Sequence, residues 1–359
     1  MNKFLSKFNA VIRKKDNLLI IVAVSAAVMV MLAVTIAFLL KPAKYNQDDA
    51  ILSGVSTDDT QALRHPLTGA VLNEALEQLP QVFGVMIENS ADAWPLTGLE
   101  DAFLVIEAPV EGNIPRFIAF FSAEADTSKL GPVRSARPYY IDWASEFEAV
   151  YAHVGGSPAA LDKLATAPVH DLNEFSQGEY FWRDNTRYAP HNAYSSLDKL
   201  NKSLTELKLQ PPHYLAWKFK DSTPGSCVPG QTCLSAHLDW GGGDTYDLDL
   251  LYNTETEQYL RAESNYTNGP RLLVDNVIVM ATDISVIDNV GRRSVRTIGE
   301  GDALIFEDGT MTLGKWKKPT ATDRLRFYDA AGHEVVFNAG HSLIEVVPAL
   351  SAVTTSVAQ

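Results

Sequence analysis

The sequence is poor in cysteine and has no excess of basic residues. Only two of its 359 residues are cysteine, which excludes a small scaffold held together by disulfides. The chain has 30 basic and 44 acidic residues, so its net charge is -14. A protein this acidic is not expected to bind nucleic acid. With 46% hydrophobic and 21% charged residues, the chain can bury a core and is not a disordered polymer.

Common catalytic signatures are missing as well. The sequence has no Gly-x-Ser-x-Gly elbow, no Walker loop, no dinucleotide-binding fingerprint and no His-Glu-x-x-His motif. The histidines that could serve a site, His153, His170 and His191, are widely spaced along the chain. We therefore expect neither a metal ion nor a cofactor.

Charge is absent from Leu18 to Leu40, a run of 23 residues in which only Ser25 and Thr35 are polar. As a helix this segment is long enough to cross a hydrocarbon core of about 30 Å. More cations precede it than follow it, so the positive-inside rule places residues 1–17 in the cytoplasm and the rest of the chain outside the cell membrane. We predict an uncleaved single-pass anchor. The alternative is a cleavable signal peptide, although the run is long for one and no small-x-small site stands out.

The membrane segment also divides the charge. Residues 1–44 carry a net charge of +6, so the remaining 315 residues carry -20. The portion predicted to lie outside is therefore strongly acidic.

The two cysteines, Cys227 and Cys233, belong to this extracytoplasmic portion. Pro229-Gly230 between them favours a turn that brings the thiols together. In an oxidising compartment we expect a disulfide that closes a short surface loop. Two unpaired thiols are the alternative, and a zinc site would need further ligands.

The remaining chain divides by its hydrophobic pattern. Residues 41–64 are polar and predict a spacer, and residues 349–359 predict a loose tail. Over 65–210, strand-length apolar runs alternate with helical patterns, which predicts an α/β domain with helices packed on a mixed sheet. Over 211–348 only short strand-like runs follow, which predicts a mainly β region that forms a second domain or completes the sheet of the first.

Three helices are predicted within the α/β region. The first runs from Pro138 to about Glu148 and is expected to be amphipathic, with its aromatic residues on one side. Ser157 is the predicted N-cap of the second, which ends at Leu164, and the third spans Ser196 to Leu207.

The segment before the first helix carries Arg134 and Arg137. Unpaired backbone N–H groups and the helix dipole favour an anion at a helix N-terminus, and guanidinium groups add planar, bidentate donors for a carboxylate or phosphate. We therefore predict that both arginines bind a ligand. The alternative is that they pair with the protein's own carboxylates, such as Glu107 or Glu111.

A second cluster, Phe181 to Asn192, is rich in aromatic, cationic and amide side chains. Such mixtures are typical of carbohydrate and peptide sites, although a loop whose aromatics cover the core would look the same. We predict that its polar side chains bind a ligand. These residues are Arg183, Arg187, His191 and Asn192.

Three residues are candidates for catalysis. Glu107 and Glu111 could act as general acid and base in cleaving a glycosidic bond, although glutamates at this spacing are often solvated or ion-paired. His153 could carry a proton or be a satisfied core histidine.

A series of short motifs, in this order along the chain, resembles the YerB family, which is defined by the DUF3048 domain. The resemblance covers about residues 65–348 and implies an extracytoplasmic envelope protein. It implies no catalytic residues. Members of the family are often described as lipoproteins, and this chain differs from them in its anchor, because no cysteine near the apolar run could accept a lipid. The motifs are Pro66-Leu-Thr-Gly69, Val85-Met-Ile-Glu-Asn89, Glu107-Ala-Pro-Val-Glu-Gly112, Arg116-Phe117, Gly131-Pro-Val-Arg-Ser-Ala-Arg-Pro138, His153-Val-Gly-Gly-Ser157, Ala189-Pro-His-Asn192, Asn276-Val-Ile-Val279, Ala303-Leu-Ile-Phe-Glu-Asp-Gly309 and Gly314-Lys-Trp316.

Three functions are consistent with these features. The first is a membrane-tethered protein that binds an anionic envelope glycan or peptide in a cleft of the α/β domain. The second is an enzyme that cleaves cell-wall glycan, with Glu107 or Glu111 as acid or base. The third is a scaffold for envelope assembly that contacts only other proteins. The sequence does not determine whether the protein is an enzyme, nor its oligomeric state.

Overall fold

The computed structural model describes residues 62–222, 234–241 and 243–357. Every element below belongs to one compact unit, Leu52–Gln359. The predicted membrane segment and the predicted disulfide of Cys227 and Cys233 lie outside the described residues. Within the described ranges, no helix is both long and apolar enough to cross a membrane.

Short strands dominate this unit. The helices are α1 (Pro138–Ser145), α2 (Pro158–Leu164) and α3 (Leu197–Glu206). The strands are β1 (Val82–Glu88), β2 (Leu104–Pro109), β3 (Pro115–Ser122), β4 (Val150–His153), β5 (His170–Asn173), β6 (Trp182–Arg183), β7 (Ala193–Tyr194), β8 (Lys218–Lys220), β9 (Leu234–Leu238), β10 (Leu248–Asn253), β11 (Gln258–Glu263), β12 (Arg271–Val274), β13 (Asn276–Ala281), β14 (Ile284–Val286), β15 (Arg293–Val295), β16 (Gly299–Glu307), β17 (Thr310–Lys318), β18 (Arg326–Asp329), β19 (Val336–Asn338), β20 (Ser342–Val347) and β21 (Val353–Val357).

Strands from both halves of the chain form one mixed sheet of ten strands, in the order β18-β17-β16-β13-β20-β2-β3-β1-β4-β5. Its two halves meet where β2 pairs in parallel with β20, with Leu104 opposite Ser342. The mainly β region therefore completes the sheet of the region that precedes it. The fold is a mixed sheet with few helices, followed by a mainly β region.

Both faces of this sheet are covered. Successive side chains of a strand point to opposite faces, and in β1 Phe83 and Val85 contribute to one apolar core while Val82 and Met86 contribute to another. The first core also contains residues of the five-stranded antiparallel sheet β12-β11-β10-β9-β21 and of α3, and the second contains residues of α1 and α2. This double coverage explains why the central strands are mostly apolar on both faces, with single buried charged residues such as Glu88 and Arg116.

The helix predictions are correct in position, with one correction in character. Ser157 caps α2 by accepting a hydrogen bond from the N–H of Ala160, as predicted. However, α1 is not amphipathic, because every residue from Tyr139 to Ser145 is buried. Its polar Asp142 is buried in an ion pair with Lys163.

The prediction of a loose tail over 349–359 is wrong for Val353–Val357. These residues form β21, which pairs antiparallel with β9. β21 lies at the edge of its sheet, and β9 provides the partner that its backbone requires.

Candidate functional site

A cavity of about 220 Å³ lies where β1 ends and β3 begins. Its charged lining consists of three arginines and two glutamates, so the cavity carries a net positive charge even when its histidine is neutral. The lining residues are Glu88, Asn89, Ser90, Val110, Glu111, Ile114, Pro115, Arg116, Arg134, Arg137 and His191. We call this the arginine cavity.

Glu88 holds two of the predicted ligand-binding residues in place. Its side chain is almost fully buried, with Oε1 3.0 Å from Nε of Arg134 and Oε2 2.9 Å from Nδ1 of His191. The loop that carries Arg134 runs along the end of β1, because the N–H of Arg134 donates to the carbonyl of Met86. The structure thus brings Arg134 and His191, which are distant in sequence, to one carboxylate.

Arg137 and Glu111, which also line the cavity, form a bidentate ion pair. Nε of Arg137 donates to Oε1 at 2.8 Å, and Nη2 donates to Oε2 at 2.6 Å. Burial alone would raise the pKa of Glu111, but the hydrogen bonds and charge of Arg137, with the charge of Arg116, lower it below its ordinary value. Glu111 is therefore an anion held by arginine.

Arg116 differs from the other two arginines. It is only 6% exposed, and its one side-chain hydrogen bond runs from Nη1 to the carbonyl of Ser135 at 3.0 Å. Within the described part of the chain, no carboxylate lies at ion-pair distance from it. Burial, followed by the charges of Arg137 and Arg134, lowers its pKa. Arg116 is a buried cation in the cavity wall without an anionic partner.

A second cavity of about 330 Å³ shares His191 with the first. We call it the tyrosine cavity, because Tyr188 at its edge is 90% exposed. Its other lining residues are Asp92, Thr186 and Arg187.

The other two predicted ligand-binding arginines, Arg183 and Arg187, do not line the arginine cavity. Arg187 donates to the backbone carbonyls of Ala93, Trp94 and Pro95 and to the hydroxyl of Tyr194, at 2.6 Å for the last. Arg183 pairs with Glu174 through Nε and Nη2, and it lines neither cavity. Asn192 accepts a hydrogen bond from Arg183 and braces the same loop.

Two of the catalytic candidates lie away from both cavities. Glu107 is fully buried, and its carboxylate accepts hydrogen bonds from Asn89 at 2.7 Å and from Arg261 at 2.8 Å. His153 is also fully buried, with Nδ1 2.7 Å from the carbonyl of Gly155 and Nε2 2.7 Å from Asp171. Of the three candidates, only Glu111 lines a cavity.

Sequence reasoning did not select Glu88 or Arg116 as site residues. Each lies near one end of an otherwise mostly apolar strand, Glu88 in β1 and Arg116 in β3. A charged residue next to such an apolar run is the sequence signal that could have identified them. Their alignment, with Glu88 opposite Arg116 across β1 and β3, follows only from the strand register.

The described residues contain no group of histidine and acidic side chains that could hold a metal ion. The arginine cavity instead offers a guanidinium group, that of Arg116, with no carboxylate at ion-pair distance among the described residues.

Comparisons with known proteins agree with this fold. A relative named "Putative lipoprotein YerB", from Bacillus subtilis (strain 168), is 28% identical over 310 residues, which cover 83% of this chain and 90% of the relative. The crystal structure of the YerB protein from Bacillus subtilis superposes with a TM-score of 0.71 at 26% identity, and the match covers 82% of this chain and 99% of that chain.

The family models give the same assignment. The model described as "Protein of unknown function (DUF3048) N-terminal domain" matches residues 67–210, and the corresponding C-terminal domain model matches residues 238–344. The family resemblance inferred from the motifs is therefore confirmed, and the chain belongs to the DUF3048 family of YerB-like proteins.

Proposed function

We propose that this protein is a membrane-anchored envelope protein that binds the carboxylate of an anionic envelope ligand in the arginine cavity. The observation that carries the proposal is Arg116, which is 94% buried in the cavity wall without a carboxylate partner among the described residues. Burying an unpaired charge is costly, and a bound anion would supply the missing partner.

The charges and the volume of the arginine cavity suit a small anionic group such as a carboxylate. Arg134 and Arg137 already have glutamate partners, so they add positive potential but few free donors. Arg116 therefore provides the main free donors, and its planar fork matches the two oxygens of a carboxylate. A volume of about 220 Å³ accommodates such a group with its first substituents.

The location of the protein is supported from two sides. The run Leu18–Leu40 predicts a membrane-spanning helix with the folded part outside, and the Bacillus subtilis relative is named a lipoprotein. Both point to a protein held at the outer face of the cell membrane, although by different anchors.

The glycan-cleaving alternative finds less support in the geometry. A general acid needs a raised pKa and access to the leaving group. Glu107 has no exposed surface, and the pKa of Glu111 is lowered. The scaffold alternative rests on no specific observation in the described residues.

The test is calorimetric titration of the full-length protein, in detergent micelles, with sodium lactate as the carboxylate probe. We expect saturable binding that Arg116→Gln abolishes and that Arg116→Lys weakens, since lysine keeps the charge but loses the fork.

The matched control is Arg324→Gln. Arg324 is equally buried at 6% exposure, but it pairs with Glu146 and lies outside both cavities. Arg324→Gln should lower the free energy of unfolding and leave the lactate affinity unchanged. If a folded Arg116→Gln protein bound lactate as well as the wild type, or if the wild type did not bind it, the proposal would be wrong.

A further inference from the structure

We infer that the ligand is an acidic sugar, whose carboxylate occupies the arginine cavity and whose ring lies in the tyrosine cavity against Tyr188. The inference rests on the proposed function, and it adds the chemical class of the group attached to the carboxylate.

The two cavities share a lining residue whose position is fixed by hydrogen bonds. His191 lines both, its Nδ1 is held by Glu88 at 2.9 Å, and its backbone N–H donates to the carbonyl of Tyr188 at 2.9 Å. Within the described ranges, Nε2 of His191 has no hydrogen-bond partner. A ligand that passes from one cavity to the other therefore meets a free imidazole nitrogen at the junction.

The wall of the tyrosine cavity is braced. Arg187 ties its loop to the backbone of Ala93 and Trp94, and the N–H of Asp184 donates to the carbonyl of Asn192 at 2.8 Å. On this braced loop Tyr188 nevertheless leaves 90% of its surface in solvent. Since the loop is held in place without any contribution from its ring, that ring is free to cover a ligand.

The lining favours a sugar over an amino-acid side chain. Besides the tyrosine ring it offers the carboxylate of Asp92 and the hydroxyl of Thr186, and none of its residues is aliphatic. A sugar ring presents C–H groups on its faces and hydroxyl groups on its rim. The tyrosine ring can pack against the C–H groups, and the carboxylate and hydroxyl oxygens can accept hydrogen bonds from the sugar hydroxyl groups.

Three probes separate the two cavities in titrations of the full-length protein in detergent micelles. Lactate offers the carboxylate alone, N-acetylglucosamine offers the sugar alone, and N-acetylmuramic acid combines the two through a lactyl ether. We expect N-acetylmuramic acid to bind about tenfold more tightly than lactate, and N-acetylglucosamine to bind most weakly.

Two variants test whether the tyrosine ring provides the extra affinity for N-acetylmuramic acid over lactate. Tyr188→Ala should bring the affinity for N-acetylmuramic acid down to that of lactate and leave lactate binding unchanged. Phe175→Ala is the matched control, because Phe175 is another exposed aromatic residue, at 74%, and lines neither cavity. It should change neither affinity.

The outcomes distinguish this inference from the proposed function. If lactate binds through Arg116 but N-acetylmuramic acid binds no more tightly, or if Tyr188→Ala has no effect, the acidic sugar is ruled out and the carboxylate site remains. If neither acid binds, the proposed function fails and this inference fails with it.

Discussion

Glu88 and Arg116 stand directly opposite each other across β1 and β3, yet they do not pair with each other. The carboxylate of Glu88 contacts Arg134 and His191, whereas among the described residues the guanidinium group of Arg116 donates to the carbonyl of Ser135 alone. The result is a cavity with one more arginine than glutamate, and this surplus cation gives the protein its candidate site.

Removing the negative charge of Glu111 should strengthen anion binding. Glu111→Gln leaves an acceptor for Arg137 but removes a charge from the cavity lining, so lactate affinity at pH 7 should rise by about three- to tenfold. Glu77→Gln, which removes a charge from an exposed position outside both cavities, should leave the affinity unchanged. Titration calorimetry measures both, and an unchanged affinity for Glu111→Gln would mean that the anion does not enter this cavity.

Stability should fall with rising pH through the titration of Glu307. Burial raises its pKa to about 7, although Lys220 and the N–H of Asn338 oppose this. Since the folded state then binds this proton more tightly than the unfolded state, the stability contribution is present below about pH 4.5 and is lost as pH rises to about 7.

Glu307→Gln should therefore be more stable than the wild type at pH 8, by about 1–3 kcal/mol, and lose less stability between pH 5 and pH 8. Urea unfolding at the two pH values provides the measurement. The exposed Glu255→Gln serves as the control, with an unchanged pH dependence. If Glu307→Gln and the wild type lost the same stability between pH 5 and pH 8, Glu307 would not be the group responsible.

Arg261 should stabilise the fold strongly, because it is a buried cation surrounded by three buried carboxyl groups. Its guanidinium nitrogens lie 2.8 Å from Glu107, 2.9 Å from Glu263 and 3.7 Å from Glu345. Arg261→Met should lower the free energy of unfolding by at least about 3 kcal/mol. Arg292→Met, which breaks a partly exposed pair with Asp288, should cost less than about 1 kcal/mol. Equal losses in urea unfolding would refute this distinction.

Gly131 should be required at the start of the loop that carries Arg134. Its φ is +142°, and an added Cβ would lie 2.9 Å from the carbonyl oxygen of Ala193. Gly131→Ala should lower the free energy of unfolding by about 1–3 kcal/mol and weaken lactate binding, because the loop must shift. Gly332 also has a positive φ, but open space surrounds it, so Gly332→Ala should cost less and leave binding intact. A loss no larger than that of Gly332→Ala would contradict this account.

Much of the fold was predictable because local patterns and burial agree. Val82–Glu88 is one of the strand-length apolar runs and forms β1, and Asp308-Gly309, a dipeptide that favours a tight hairpin turn, joins β16 to β17. The hydrophobic pattern did not predict a strand where tertiary contacts alone stabilise it. Residues 349–359 contain no long apolar run, and only pairing with β9 makes Val353–Val357 a strand.

The candidate site was predictable only in part. Arg134, Arg137 and His191 were selected from their residue types and neighbours, and the structure brings all three to the lining of one cavity. Arg183 has the same chemistry but pairs with Glu174 on the surface, and Glu107 is buried against Arg261. No local pattern distinguishes these cases, because the partner of each charge lies far away in sequence.

The sequence by itself determined the family, the predicted membrane segment and the position of most strands and helices, since these depend on residue order and local hydrophobicity. Only the tertiary structure decided which arginine of the cavity lining has no carboxylate at ion-pair distance among the described residues. That outcome depends on strand register, which sets Arg116 opposite Glu88, and on two distant loops, which bring Arg134 and His191 to Glu88 instead.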